Sequence, residues 1–250
     1  MAVVTLLGSL CPVTLAHIQA FIEARRILLA AQGVPRPKRL EEFGGALGFI
    51  SLNGDAYVSQ KLASKGQRAL TYEQWSHLVD LAIEAYPWMR REVTKGIIHK
   101  ELRERWPALK FIHVRINGAD DVVKHGKYAW SSIRQRFITM GRPGYTQAVV
   151  RGMLEAGVDP EAGYFIMGPE LEDVSSTAVR EALVRGDMLA LNGLLEKRVA
   201  EWCFDHYRQQ QDEETPALAA ETQPESDPRK RHRHQREMHN TREYAWSSIP

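Results

Sequence analysis

Val3-Val4-Thr5-Leu6-Leu7-Gly8-Ser9-Leu10-Cys11-Pro12-Val13-Thr14-Leu15-Ala16-His17 is the stretch on which the fold turns. Val3, Val4, Leu6 and Leu7 make a short apolar run that stops at Gly8, the pattern of a buried strand entering a loop. From Ala16 the period changes. Ile18, Phe21, Ile22, Leu28 and Leu29 recur at helical spacing, and Gly33 supplies a stop. A second apolar run, 46–52, follows a connection rich in Pro and Gly. Strand, helix and strand therefore come in the order that a right-handed parallel crossover requires.

The alternation persists downstream. A helix is expected over 71–86, a strand over 111–116, a strand over 137–140, a helix over 147–154 and a last strand over 164–167. Short helices then follow over 176–184, 188–195 and 199–207. The sum is an α/β chain with a Rossmann-like, doubly wound parallel sheet, a single domain over 1–210. Beyond it, 211–250 is rich in Glu, Asp, Gln and Pro, then Arg and His, and is expected to be a disordered charged tail because it has almost nothing to bury. The tail's basic segment, Arg229-Lys230-Arg231-His232-Arg233-His234, reads first as a solvated charge run, with an import signal or a phosphate-attracting arm as the alternative. The tail also repeats a hexapeptide: Tyr128-Ala129-Trp130-Ser131-Ser132-Ile133 returns as Tyr244-Ala245-Trp246-Ser247-Ser248-Ile249.

Composition bounds the function. With 250 residues, 44% of them hydrophobic, the chain can bury one good core. No apolar stretch is long enough to span a bilayer and no leader pattern opens the chain, so no membrane association and a cytoplasmic or nuclear location are expected. The two cysteines, Cys11 and Cys203, suggest neither a disulfide framework nor a zinc knuckle. A net charge of +2 gives no reason to expect a nucleic-acid partner. No residue is assigned as a metal ligand; His232, His234 and His239 lack the rigid frame that zinc needs.

Two segments carry chemistry. The loop from Gly8 to His17 falls at the carboxyl end of the first strand, where ligands bind in such folds. Gly8 lets backbone approach an anion, the loop and helix start offer amides, and His17 lies on the first helical turn. By itself this loop admits two readings, a phosphate cradle or an ordinary strand-to-helix turn. Asp173-Val174-Ser175-Ser176-Thr177-Ala178-Val179-Arg180 opens another helix with three hydroxyls and an arginine one turn in, which is a second anion site or a plain N-cap.

Together, Gly-Ser-x-x-Pro-x-Thr-x-x-His (Gly8 to His17) and Ser-Ser-Thr-x-x-Arg (Ser175 to Arg180) resemble the paired signatures of the nucleotidyltransferase superfamily. Asp55-Ala56-Tyr57, Arg68, Tyr86-Pro87-Trp88, Gly118-Ala119-Asp120, Trp130 and a strand ending near Arg142 narrow the resemblance to the nicotinamide/nicotinate mononucleotide adenylyltransferases of eukaryotic type. That resemblance implies an enzyme that joins ATP to a pyridine mononucleotide with Mg²⁺ as the accompanying divalent cation, and a homo-oligomeric assembly. It implies that Gly8, Ser9 and His17 hold ATP phosphates, that Ser176, Thr177 and Arg180 take the pyrophosphate, and that Gly118 and Asp120 contact the adenosine ribose. His17 and Arg180 would be the catalytic pair. Ser9, Leu10, Lys61, Trp88 and Trp130 would bind the mononucleotide, the tryptophans stacking on its ring. Trp75 and Trp202, at helical positions, are expected to pack in the core.

The chain departs from the family at Leu10 and Cys11, where Phe and Asn are usual. After Tyr57 it reads Val58-Ser59-Gln60-Lys61 in place of a lysine-rich stretch, so Lys61 or Lys65 is expected to supply the charge. The alternatives are a related adenylyl or cytidylyl transferase and a nucleotide-binding scaffold without catalysis.

Overall fold

The opening run folds as β1 (Ala2–Gly8) and the helical period after it as α1 (Leu15–Leu28), in a computed structural model that describes residues 1–67, 70–93 and 97–206. Next come β2 (Ala46–Leu52), α2 (Asp55–Ala63), α3 (Tyr72–Ile83), β3 (Met89–Glu92) and α4 (Ile98–Arg105). β4 (Ile112–Gly118), α5 (Ala119–His125), β5 (Arg136–Gly141), α6 (Thr146–Glu155), β6 (Phe165–Glu170), α7 (Ser176–Arg185) and α8 (Met188–Leu194) follow, and residues 197–206 are helical. Arg68 and the tail 211–250, with its basic segment, histidines and second hexapeptide, lie outside the described residues. No described helix is long and apolar enough to cross a membrane.

All six strands are parallel and lie in the order β3-β2-β1-β4-β5-β6. The expected doubly wound sheet is therefore present. Its strand order reverses between β1 and β4, which leaves a crevice at their carboxyl ends. In register, Thr5 is opposite Arg115, so Gly8 and Gly118, each three residues further on, end their strands level with each other.

Alternation along β1 explains the two layers. Ala2 and Val4 turn to one face and join the main core with Ile18, Phe21 and Ile27 of α1, while Val3 turns to the other and packs with Phe49, Leu102 and Phe111. Further up that second face the side chains become polar: Thr5, Ser51, His113 and Arg115. Trp75 is wholly buried as expected, and Trp202 is partly buried and stacks on His206.

Some elements differ from expectation. β3 reads Met-Arg-Arg-Glu, an edge strand with no apolar period, and α2, α4 and α5 are short polar helices. α1 ends before Gly33: Ala30 takes the left-handed turn, at φ 53°, immediately after the C-cap Leu29.

Candidate active site

A cleft of about 1020 Å³ opens at the crevice between β1 and β4. It is lined by Gly8, Ser9, Leu10, His17, Lys61, Gly118, Asp120, Trp130, Ser176, Thr177 and Arg180, so residues from both ends of the domain meet around one space. Trp88 is not brought there. It immediately precedes β3 and so lies at the amino end of that strand, its carbonyl accepting from Gly48 N at 2.9 Å and its ring covered by the Arg25 guanidinium at 5.1 Å. The cleft is at the carboxyl ends, so Trp88 packs against α1 and is structural.

The first loop is compact. Leu10 turns back over the strand end with φ 42°, and a Cβ on Gly8 would stand 2.9 Å from Leu10 Cδ2, which is why glycine ends β1. Leu10 itself is only 4% exposed and belongs mainly to the core, giving the cleft no more than its edge. Thr14 caps α1, and both its backbone N–H (3.0 Å) and its hydroxyl (2.7 Å) meet His17 Nδ1. An amide can only donate, so Nδ1 accepts and the neutral ring carries its proton on Nε2. Burial, then the Arg142 charge, pushes the His17 pKa down to about 4, which keeps that tautomer neutral at physiological pH.

The hydroxyl segment is tied directly to this loop. Ser175 caps α7 by accepting from Ala178 N at 3.2 Å, and Ser176 Oγ donates to the Pro12 carbonyl at 2.8 Å. Arg180, 6% exposed, donates through Nη1 to the Cys11 carbonyl (2.8 Å), through Nε to Gln67 Oε1 (2.8 Å) and through Nη2 to Thr177 Oγ1 (3.1 Å). The bonds to the Pro12 and Cys11 carbonyls join stretches more than 160 residues apart in sequence. The first amides of α7 have no intrahelical acceptor and belong to residues of the cleft wall. Cys11 beside them is no nucleophile: burial raises its thiol pKa and holds the proton on sulfur.

Cations crowd the cleft beside Ser9. Lys61 Nζ approaches Ser9 Oγ at 3.4 Å, and Asn53 Nδ2 approaches the same oxygen at 3.4 Å. Burial, then the charges of Lys65, Arg180 and Lys124, lower the Lys61 pKa, so an anion beside it would relieve both the lost hydration and the like charge. Arg142 spans two acids, donating to Asp173 Oδ1 at 2.7 Å and to Asp120 Oδ2 at 3.1 Å. Asp120 follows Gly118, where a Cβ would meet its carboxylate at 2.8 Å. Trp130 ends a short 3-10 helix, Lys127–Trp130, and is half exposed on the cleft wall.

Arg142, Asn53 and Arg115 were not singled out as ligand contacts by sequence reasoning, although all line the cleft. A signal existed for Arg142 and Asn53: each directly follows the carboxyl end of a strand, β5 and β2. Arg115 lies within β4, where only the orientation of the strand shows which way it turns.

No protein-family model matches the chain, and no curated protein does. Among solved structures, Plasmodium falciparum nicotinic acid mononucleotide adenylyltransferase complexed with APC is similar, at 12% identity and TM-score 0.51, over 83% of this chain and 97% of that one. The same enzyme complexed with NaAD is similar at 11% identity and TM-score 0.51, with the same coverage. At that identity the likeness is one of architecture: the chain has the Rossmann-like α/β fold found in nicotinic acid mononucleotide adenylyltransferase.

Proposed function

We propose that the chain transfers AMP from ATP to nicotinamide mononucleotide or nicotinate mononucleotide, giving NAD or deamido-NAD and pyrophosphate. The observation that carries this reading is the pair of bonds from Ser176 and Arg180 to the Pro12 and Cys11 carbonyls, which draws both anion-binding segments to one cleft. The Plasmodium enzyme of the same fold acts on nicotinic acid mononucleotide by its name, which supports the choice of substrate class.

In this reaction an oxygen of the mononucleotide phosphate attacks the α-phosphorus of ATP, and the bond to the bridging oxygen of pyrophosphate breaks. The nucleophile is already an anion, so no base is required, and the protein's task is to align two anions and neutralise the charge they bring. His17 suits an α-phosphate donor: its neutral ring offers Nε2–H, and a fixed donor of this kind costs no reorganisation as charge builds. Thr177 and Arg180, with the first amides of α7 including that of Ser176, receive the pyrophosphate, since the Ser176 hydroxyl proton is held by the Pro12 carbonyl. Lys61, crowded by like charge beside Ser9, faces the mononucleotide phosphate. Gly118 and Asp120 meet the adenosine ribose, and Trp130 gives the pyridine ring a face to stack on.

Magnesium fits this site only as part of the substrate. The described residues hold no cluster of three or more His, Cys, Asp or Glu, and Asp120 and Asp173 are both engaged by Arg142. A divalent ion would therefore be carried by triphosphate oxygens and water, supplying charge neutralisation there.

Incubation with ATP, Mg²⁺ and each mononucleotide, with pyrophosphate and dinucleotide followed by chromatography, tests the proposal. Dinucleotide from at least one mononucleotide is expected. Tight nucleotide binding without product would replace the enzyme by a nucleotide-binding scaffold, and product only with another phosphate acceptor would place the chain with a related adenylyl transferase.

A further inference from the structure

Arg115 is out of place for a parallel-sheet core. It lies in β4, a central strand with a neighbour on each side, yet its residue is exposed and lines the cleft. It pairs in register with Thr5, three residues before the phosphate loop begins at Gly8, so it sits about 10 Å deeper in the cleft than that loop at ~3.3 Å per residue. No ion pair holds it among the described residues. Its neighbour His113 adds no competing positive charge: the ring bonds to Thr5 Oγ1 at 2.8 Å, stacks on His99 at 5.0 Å, and its pKa is driven down to about 4, by burial first and then by the charges of His99 and Arg115.

The guanidinium is nevertheless aimed. With the Gln135 amide oriented to satisfy both its neighbours, its oxygen accepts from Arg115 Nη1 at 3.0 Å and its nitrogen donates to the Trp130 carbonyl at 3.1 Å. Gln135 thus ties Arg115 to the backbone of the residue whose half-exposed ring forms the cleft wall. One edge of the fork is anchored and, among the described residues, the rest is left for a ligand held in the same cleft by the Trp130 wall.

We propose that Arg115 is a specificity-determining residue that binds the carboxylate of the pyridine ring, so that this cleft selects the acid mononucleotide over the amide. The proposal rests on the mononucleotide reading above and deepens it. A carboxylate accepts two hydrogen bonds from a guanidinium and cancels its charge, whereas a carboxamide leaves the charge unmatched and turns an NH₂ toward a donor. The other anion in reach is the mononucleotide phosphate, but the loop and the lysine that serve it lie higher, at Ser9 and Lys61.

The test compares wild-type and Arg115→Gln protein for kcat/KM with nicotinate and nicotinamide mononucleotides. The wild type is expected to favour the acid, and Arg115→Gln to lower kcat/KM for the acid about ten- to a hundred-fold more than for the amide, mainly through KM, the range set by one charge-assisted contact. Arg115→Lys should recover part of the preference. Equal losses with both substrates, or a wild type that favours the amide, would overturn the proposal. Calorimetric binding of the two mononucleotides and of the corresponding ribosides, which lack the phosphate, is read in parallel. A preference for the acid riboside that Arg115→Gln abolishes supports a carboxylate reader even if no dinucleotide forms, in which case only the proposed activity fails. Acid selectivity in neither pair, or selectivity that disappears when the phosphate is removed, refutes it whether or not catalysis is seen.

Discussion

Replacing Arg180 by alanine removes the joint between the two halves of the cleft. The side chain is 6% exposed and makes three hydrogen bonds, to the Cys11 carbonyl, Gln67 Oε1 and Thr177 Oγ1, all with a charged donor. Bonds to charged groups contribute about 1.5–3 kcal/mol each, but they are not additive here, because the space left admits water to the polar acceptors and the desolvation of the buried cation is recovered. A net loss of about 2–4 kcal/mol is expected. In a domain of this size each kcal/mol moves Tm by about 2–4 °C, so Arg180→Ala should melt about 4–16 °C lower by differential scanning calorimetry. Activity, measured well below the lowered Tm, should fall by at least about a hundred-fold, since the proposed donor to the leaving pyrophosphate is gone as well. Arg180→Lys keeps the charge without the fork and should recover stability more than turnover. A melting point within about 1 °C of wild type would show that these bonds do not hold the loop to α7, and wild-type turnover would remove Arg180 from the site.

Three further outcomes follow from named contacts. His17→Ala should lower kcat by roughly two or more powers of ten with little change in the KM of ATP, and unchanged steady-state turnover would exclude it as the α-phosphate donor. His17 and His113 are each held at about 4 from the ordinary 6.5, so between these values the unfolded chain binds more protons than the native one; stability is complete above pH 6.5 and is lost as pH falls toward 4, by roughly 3 kcal/mol per group at most given their partial exposure, and urea titrations giving equal midpoints at pH 7 and pH 4.5 would contradict both shifts. Gly152→Ala would place a Cβ 2.4 Å from Tyr128 Cζ, pushing the 3-10 helix that carries Trp130; a raised KM for the mononucleotide with an unaltered KM for ATP is expected, and no change in either would detach Trp130 from the substrate.

What could be read from the chain follows its physics closely. The change from an apolar run to helical spacing after Gly8 is a strong local signal, and β1, its loop and α1 fall where that signal puts them. β3 carries no such signal, because Met-Arg-Arg-Glu at a sheet edge needs only one partner strand and buries only its two ends, Met89 and Glu92, with two arginines between them. Its absence from the sequence reading has a direct consequence at Trp88. An aromatic beside a strand is a ligand contact at the carboxyl end and a packing residue at the amino end, and without β3 the end could not be assigned. Arg115 is obscured for a related reason: alternation says that it turns away from Val114 and Ile116, but only the packing of α4 low on that face shows that the space above it is open.

The two candidate anion-binding segments illustrate a different limit. Read singly, Ser176 and Arg180 look either like phosphate ligands or like ordinary cap and surface residues, and the structure satisfies neither description alone, because both side chains are already bonded to the first loop. Those bonds fix the loop backbone through its carbonyls at Cys11 and Pro12 and so hold the loop, with the neutral ring of His17, beside the guanidinium of Arg180. A site whose work is to gather negative charge needs its donors in place before the charge arrives, since any reorganisation during the reaction would add to the barrier. Arg180 held by carbonyl and amide oxygens keeps its full charge in the cleft wall, which a carboxylate partner would have cancelled. The arginine that does pair with acids, Arg142, bridges Asp120 and Asp173 and so ties the start of α5 to the segment before α7. One arginine thus brings charge to the cleft and the other braces its rim, a division of labour set by whether the acceptor is a neutral oxygen or an ionised one.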